Sequence, residues 1–432
     1  MIYHLLKKFL LFFLLFKVSY GITLKQAINE ALNNNLEIKQ LKQDLKIGEI
    51  NINLAKNSFY PEFFFNSGYT VLKDRFYSEI PSFSPLFPNL RFKQSEKNYF
   101  NYEIGINIPI FTGFKRINSL KLSKIDYKAR EKFLREKERE IRLKVIDIYI
   151  NLLILNEILN VLQKQKESIE EHLKKAENFY KEGLITDIQV LQTKVKLAEV
   201  KREIKKVEGQ IKVGKANLNL LLNRDINIDF KVEKIDINIP KDLSLKELIK
   251  KALRNRDIIK ALNYKEKEFK YIESINKSEF LPSVIAGSKY FYTNQYPYTS
   301  PKGNTSFYLI FSLKFQGFKP YYNYLKSKEE EKKFRFYKRD TINKIVLQIK
   351  KSYEDFIVAR ENLKVAENGL SEAEKYFKKV KEQYNEQLAD TTDFLNAEAY
   401  LTKAKADRVI AYYQLILSYL KLKELIGEDY EK

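Results

Sequence analysis

The chain has no cysteine and no tryptophan, one methionine, two histidines, 13 glycines and 10 prolines in 432 residues. Without cysteine there is no disulfide, thiolate metal site, cysteine nucleophile or lipid-modified N-terminal cysteine. The histidines are His4 and His172. His4 falls in a leader-like segment, and one remaining histidine builds neither a histidine metal cluster nor a paired-histidine catalytic site. No Gly-x-x-x-x-Gly-Lys-Ser/Thr loop occurs, so the usual nucleotide-phosphate cradle is missing. No carboxylate pair stands out from helix-surface charge. The expectation is therefore no enzyme, no cofactor and no metal. So little glycine and proline also excludes loop-rich and low-complexity chains.

What is plentiful is aromatic and basic. There are 29 tyrosines and 30 phenylalanines, and Lys plus Arg number 78 against 56 acids, a net charge of +22. The basic residues run along the whole length, mixed with acids. A nucleic-acid site needs a concentrated patch with stacking aromatics, so no nucleic-acid partner is expected. The length exceeds one ordinary core and calls for two domains or one large architecture.

Residues 1–21 read as a secretory signal. Lys7 and Lys8 give a positive start, Phe9 to Phe16 is a short apolar run, and Ser19-Tyr20-Gly21 offers small residues for cleavage. After residue 21 no uninterrupted apolar run approaches the roughly 20 residues of a membrane helix. Any insertion of the mature chain into a membrane then relies on strands.

The rest is a repeat. Thr23-Leu-Lys-Gln-Ala-Ile-Asn-Glu-Ala31-Leu returns as Ser244-Leu-Lys-Glu-Leu-Ile-Lys-Lys-Ala252-Leu, an offset of 221 that also carries Phe59-Tyr60-Pro61 onto Phe280-Leu281-Pro282. Phe111-Thr112-Gly113-Phe114 returns as Phe315-Gln316-Gly317-Phe318 at offset 204, as do Tyr180 at Tyr384 and Leu191 at Leu395. The change of offset places an insertion between residues 61 and 111. Repeats of this kind decide architecture. We expect a first repeat over 22–222 (a helix, a β-hairpin at about 63–111, a long helical hairpin at about 114–222) and a linker over 223–243. The second repeat covers 244–432, with a β-hairpin at about 283–315 and a helical hairpin at about 318–426.

Prolines cluster at 61–109 and 282–320, with Pro240 between the repeats. The proline-free stretches show helical periodicity: Ile188, Leu191, Val195 and Ala198, then Ile204, Val207 and Ile211, form a coiled-coil seam. A helix from Phe114 to Glu182 spans roughly 100 Å. The return from Asp187 to Asn223 is about half that, and the opening helix at 24–58 supplies the other half. Such arms describe a rod or a tunnel wall.

The proline zones read as strands. Over 98–111, Phe100, Tyr102, Ile104, Ile106, Ile108 and Ile110 alternate with polar or small residues; Phe307, Leu309, Phe311, Leu313 and Phe315 do the same in the second repeat. Tilted membrane strands need about 9–11 residues, and the aromatics near the hairpin tips suit a membrane–water belt. Four strands cannot close a barrel, and open edges are not tolerated in lipid. A barrel shared between chains follows; three chains are the smallest comfortable ring, with two or four left open. An exported coiled-coil scaffold or tether is the competing reading, and it has no use for lipid-facing alternation.

In the order and duplication of these motifs, including the helix turns Tyr180-Lys-Glu-Gly183-Leu184-Ile185-Thr186-Asp187 and Tyr384-Asn-Glu-Gln387-Leu388-Ala389-Asp390-Thr391, the chain resembles the TolC-like outer membrane efflux proteins. The resemblance implies a mixed α/β membrane protein: a homotrimer whose four strands per chain build a 12-stranded outer-membrane β-barrel, continued into the periplasm by coiled-coil helical hairpins. It implies a passive exit duct for a tripartite efflux or type I secretion system, with a periplasmic adaptor, an inner-membrane pump and outer-membrane lipid as partners. It assigns Gly183, Leu184, Ile185, Thr186, Asp187, Gln387, Leu388 and Ala389 to adaptor-contacting tips, with Gly183 ending its helix and Thr186 or Asp187 capping the next. Asp393, Asn396 and Tyr384 correspond to the periplasmic gate, though Asn396 replaces a second acid and Ala389 a basic partner. Gln387, where the family has glycine, is expected to alter the second turn. The linker, with Ile226, Ile228, Phe230, Val232, Ile235, Ile237 and Ile239, is expected to form short equatorial strands.

Overall fold

The computed structural model describes residues 21–240 and 242–428. The leader, apart from Gly21, lies outside the described residues. In chain order the elements are β1 (Gly21–Ile22), α1 (Leu24–Asn34), α2 (Leu36–Asn57), β2 (Glu62–Val71), β3 (Tyr77–Ile80), β4 (Leu90–Lys93) and β5 (Asn98–Thr112). Then come α3 (Lys115–Lys181), α4 (Asp187–Leu222), β6 (Lys231–Val232), α5 (Leu245–Asn255) and α6 (Asp257–Lys277). The chain finishes with β7 (Ser283–Thr293), β8 (Gly303–Ser312), α7 (Lys319–Asn385) and α8 (Thr391–Leu425). The long helices α3 and α7 are 67 residues each, and both their ends keep the 204 offset.

Two compact units emerge, and each draws on both repeats. Among the described residues, one holds 21–43 with 132–260 and 339–428; the other holds 44–131 and 261–338.

The first unit is helical, with a core of seam residues. Ile141, Val145, Ile146, Tyr149, Ile150 and Leu152 of α3 are buried. By length and composition α3 is apolar enough to cross a membrane, and 33% of its most apolar stretch is buried inside the unit. The Tyr149 hydroxyl lies 2.7 Å from the Ile22 carbonyl and 2.8 Å from that of Glu233, and it accepts from the Glu233 N–H at 3.0 Å. That knot holds the parallel β1–β6 pair in place. Only Lys231–Val232 of the linker is a strand, because those two residues alone find a partner ladder among the described residues.

The opening helix of each repeat is broken in two, not continuous as periodicity suggested. The first break is at Asn35, whose backbone turns to φ −56, ψ 133 and whose side chain accepts from the N–H groups of Glu37 and Ile38. Asn is a strong N-cap, so it both ends α1 and starts α2. The second break is at Arg256, with φ −61, ψ 127. The repeats also conserve a tie in reversed sense. Arg224 pairs with Glu30, and at the matching positions Lys251 pairs with Glu428 at 3.0 Å.

The second unit carries a four-stranded antiparallel sheet of order β2-β5-β7-β8. The central β5–β7 pair joins the hairpins of the two repeats. The insertion of the first repeat folds as its own small hairpin, β3–β4, which sequence periodicity did not announce. Alternation along β5 is broken by a bulge between Pro109 and Phe111. Proline cannot donate to a ladder, so it belongs at such a place. After the bulge Phe111 pairs with Val284, and Ile110 no longer extends the regular alternation. β8 stops at Ser312, so Leu313 and Phe315, expected on that strand, lie beyond it.

Candidate functional site

Three surfaces bear on function: the two faces of the sheet, and the helix turns after α3 and α7.

The register sorts the sheet into two faces. Phe63, Phe65 and Tyr69 of β2 stand opposite Ile106, Ile104 and Phe100 of β5. Tyr102, Ile104 and Ile108 stand opposite Tyr292, Tyr290 and Ala286 of β7, and Ala286 and Val284 stand opposite Leu309 and Phe311 of β8. Phe307 belongs to the same face, opposite Ser288. Phe63, Phe307, Leu309 and Phe311 are all at least two-thirds exposed. An apolar face this bare has no partner among the described residues. Toward the hairpin tips Tyr102 stacks on Tyr292 with ring centroids 5.2 Å apart.

The opposite face is polar. Lys289 Nζ donates to Glu103 Oε2 at 2.9 Å, Asn66 Nδ2 donates to Glu103 Oε1 at 3.0 Å, and the Tyr308 hydroxyl donates to Asn107 Oδ1 at 2.7 Å. Gly105 and Gly287 make room for rings here: a Cβ at either would lie 2.6 Å from Phe64 or 2.5 Å from Tyr308. β2 and β8, at the two edges, each have one side unpaired among the described strands. An apolar face, a polar face and two open edges are the parts of a barrel segment.

The helix turns are near copies. Gly183 has φ +73, with Leu184 N–H donating to the Phe179 carbonyl and Gly183 N–H to that of Tyr180. Gln387 has φ +60, with Leu388 N–H donating to the Gln383 carbonyl and Gln387 N–H to that of Tyr384. The change from glycine thus leaves the turn unaltered, contrary to expectation, because the backbone bonds outweigh the left-handed penalty. Leu184, Gln387 and Leu388 are exposed. Ile185, Asp187 and Ala389 occupy the same two turns. Thr186 is the N-cap of α4 by backbone, but its side chain makes no capping bond. Asp390 caps α8 fully: it accepts from the Asp393 N–H at 2.8 Å, and Asp393 accepts from the Asp390 N–H at 3.2 Å.

Asp393 and Asn396 are exposed on one side of α8, while Phe394, Ala397, Glu398 and Leu401 are buried on the other. Both gate candidates therefore face away from the chain's own core. Tyr384 does not join them. It is 4% exposed, packed among Phe179, His172 and Phe394, because aromatic residues of α3, α7 and α8 meet there.

His172 is the residue that sequence reasoning passed over. It lies flat on Phe394, with centroids 4.1 Å apart and planes 7° apart. Burial, with a smaller contribution from the Lys175 charge, lowers its pKa to about 4. One turn away Ser168 Oγ donates to Glu398 Oε2 at 3.1 Å, and burial raises the pKa of that carboxyl. The missed signal was position: Ile169, His172 and Ala176 recur at seam spacing and all are buried. Among the described residues no cluster of His, Asp or Glu is arranged to hold a metal ion.

Residues 27–224 match the family model described as outer membrane efflux protein. No curated protein matches the sequence. Among solved structures, the fold is similar to that of the outer membrane protein VceC of Vibrio cholerae: TM-score 0.76, 16% identity, covering 94% of this chain and 96% of that one. It is similar to the CmeC outer membrane channel of Campylobacter jejuni (TM-score 0.76, 16% identity, 94% and 85% covered). It is also similar to the open state of the MtrE outer membrane channel of Neisseria gonorrhoeae (TM-score 0.72, 14% identity, 94% and 89% covered).

Proposed function

We propose, from the match of residues 27–224 to the outer membrane efflux protein family, that the chain is the exit duct of a tripartite efflux or type I secretion assembly. Three copies pool their four-stranded sheets into one barrel of 12 strands, with the apolar faces toward lipid and the Glu103–Lys289 faces toward the passage. The turns Gly183–Asp187 and Gln387–Ala389 meet a periplasmic adaptor, which couples the duct to an inner-membrane pump. Asp393, with Asn396 one turn on, lines the periplasmic constriction. The duct is passive, and its energy comes from the pump.

The observation that carries this reading is the sheet with one bare apolar face and two unpaired edges. Such a face is at home against lipid, but the unpaired edges are not tolerable there until other chains supply strands. The competing scaffold reading gives that face no role. The test is the native mass of the mature protein in detergent. A species of three chains is expected, lost when detergent is withdrawn. A monomer or dimer indifferent to detergent would end the shared-barrel proposal.

A further inference from the structure

In the first repeat the second short helix, α2, starts under an asparagine cap. Asn35 Oδ1 accepts the N–H groups of Glu37 and Ile38 at 3.0 and 3.3 Å. At the same place in the second repeat stands Arg256. Arginine carries donors only, so it cannot cap α6. It is nevertheless 4% exposed.

Arg256 shares one carboxylate oxygen with a second buried arginine. Glu136 Oε1 accepts from Arg139 Nη2 at 2.6 Å and from Arg256 Nη2 at 2.7 Å. The two guanidiniums and one carboxylate leave an excess positive charge in a buried place. Arg139 Nη1 and Arg256 Nε and Nη1 are buried and meet no acceptor. Such orphan donors are costly, more so when charged.

A cavity of about 280 Å³ lies beside them, lined by Arg139, Arg256, Arg135 and Arg142 and by the residues that open α6. Arg142 is engaged by Glu424 at 3.0 Å. Glu136, Glu138 and Asp257 also line the cavity; Glu136 is divided between two arginines, and Asp257 Oδ1, buried without a hydrogen-bond partner, lies 3.5 Å from Lys132 and 3.7 Å from Lys260.

We propose that this cavity binds a tetrahedral oxyanion of the phosphate or sulfate class, seated on the Arg139 and Arg256 guanidiniums and on the N-terminus of α6. Rotation of the two side chains would turn their free edges toward it. The bound oxygens accept the α6 N–H groups, as Asn35 accepts those of α2, and balance the second guanidinium. Guanidinium forks match the spacing of oxyanion oxygens, and a helix N-terminus adds partial positive charge. A lone halide would satisfy too few of these donors and leave most of the cavity unfilled. The site is independent of the duct reading.

The test is calorimetric titration of the full-length protein in detergent with inorganic phosphate, against chloride at matched ionic strength. Saturable binding of one phosphate per chain is expected. Arg256→Asn, which installs the residue of the first repeat, should weaken it about tenfold or more. Arg139→Lys keeps the charge but removes the fork, and should also weaken it; this variant decides the matter if the first fails to fold. No phosphate heat beyond chloride, unchanged affinity in the variants, or acetate binding as tightly as phosphate would each overturn the proposal.

Discussion

An unfolded chain takes up a proton on a histidine near pH 6.5, but burial in the aromatic stack withholds one from His172 until about pH 4. The folded pKa is depressed, so stability is full above pH 6.5 and falls as pH drops through that window, by up to about 3 kcal/mol. His172→Phe should flatten this limb in a series of denaturation midpoints between pH 7 and pH 4. Glu398 works in the opposite sense. Its folded pKa is raised by burial, so its contribution is present at low pH and lost as pH climbs through the raised value. Glu398→Gln should therefore stabilise the protein at neutral pH while leaving the histidine limb in place. At the second turn, Gln387→Gly removes a left-handed non-glycine residue, and a gain of about 1 kcal/mol is expected in the same measurement. The two burial effects could not be assigned without coordinates, whereas Gln387 already stood out at the place where the matched turn has Gly183. Periodicity marked the seam, but it does not say which polar residue the seam will swallow.

At the scale of elements the repeats were legible because their signals are covalent neighbours. The Leu-Lys-x-x-Ile openings, the Gly113 and Gly317 exits and the matched turns lie at fixed sequence offsets. The breaks at Asn35 and Arg256 were not, since the apolar pattern runs through both. The β3–β4 hairpin was hidden by prolines at 81, 85 and 88, and the end of β8 by apolar alternation that outlasts the ladder. Charge ties between distant segments were also out of reach. The Glu30–Arg224 pair and its reversed counterpart Lys251–Glu428 show that each repeat needs a tie here but not a given sign. Glu30→Lys should destabilise the protein, and adding Arg224→Glu should restore much of the loss. A double-mutant cycle is expected to give a coupling of about 1 kcal/mol for this half-exposed pair.

At the scale of the whole molecule the sequence spoke through absence. No cysteine, one histidine after residue 21, and no uninterrupted apolar run of helix-spanning length pointed the reading toward strands, although α3 is by length and composition apolar enough to cross a membrane. The gate remains a proposal resting on two of the three residues named for it. Asp393 and Asn396 lie on a bare helix face, whereas Tyr384 is consumed by packing. In planar bilayers Asp393→Asn should weaken block of single-channel current by multivalent cations; unchanged block would remove Asp393 from the constriction. The open edges of β2 and β8 have a last consequence, which concerns time and dose. A chain that cannot finish its barrel alone must wait for others, so the rate of maturation rises faster than linearly with its supply. Halving expression should then cut the yield of assembled channels by more than half, and should lengthen the life of an unassembled, protease-sensitive species.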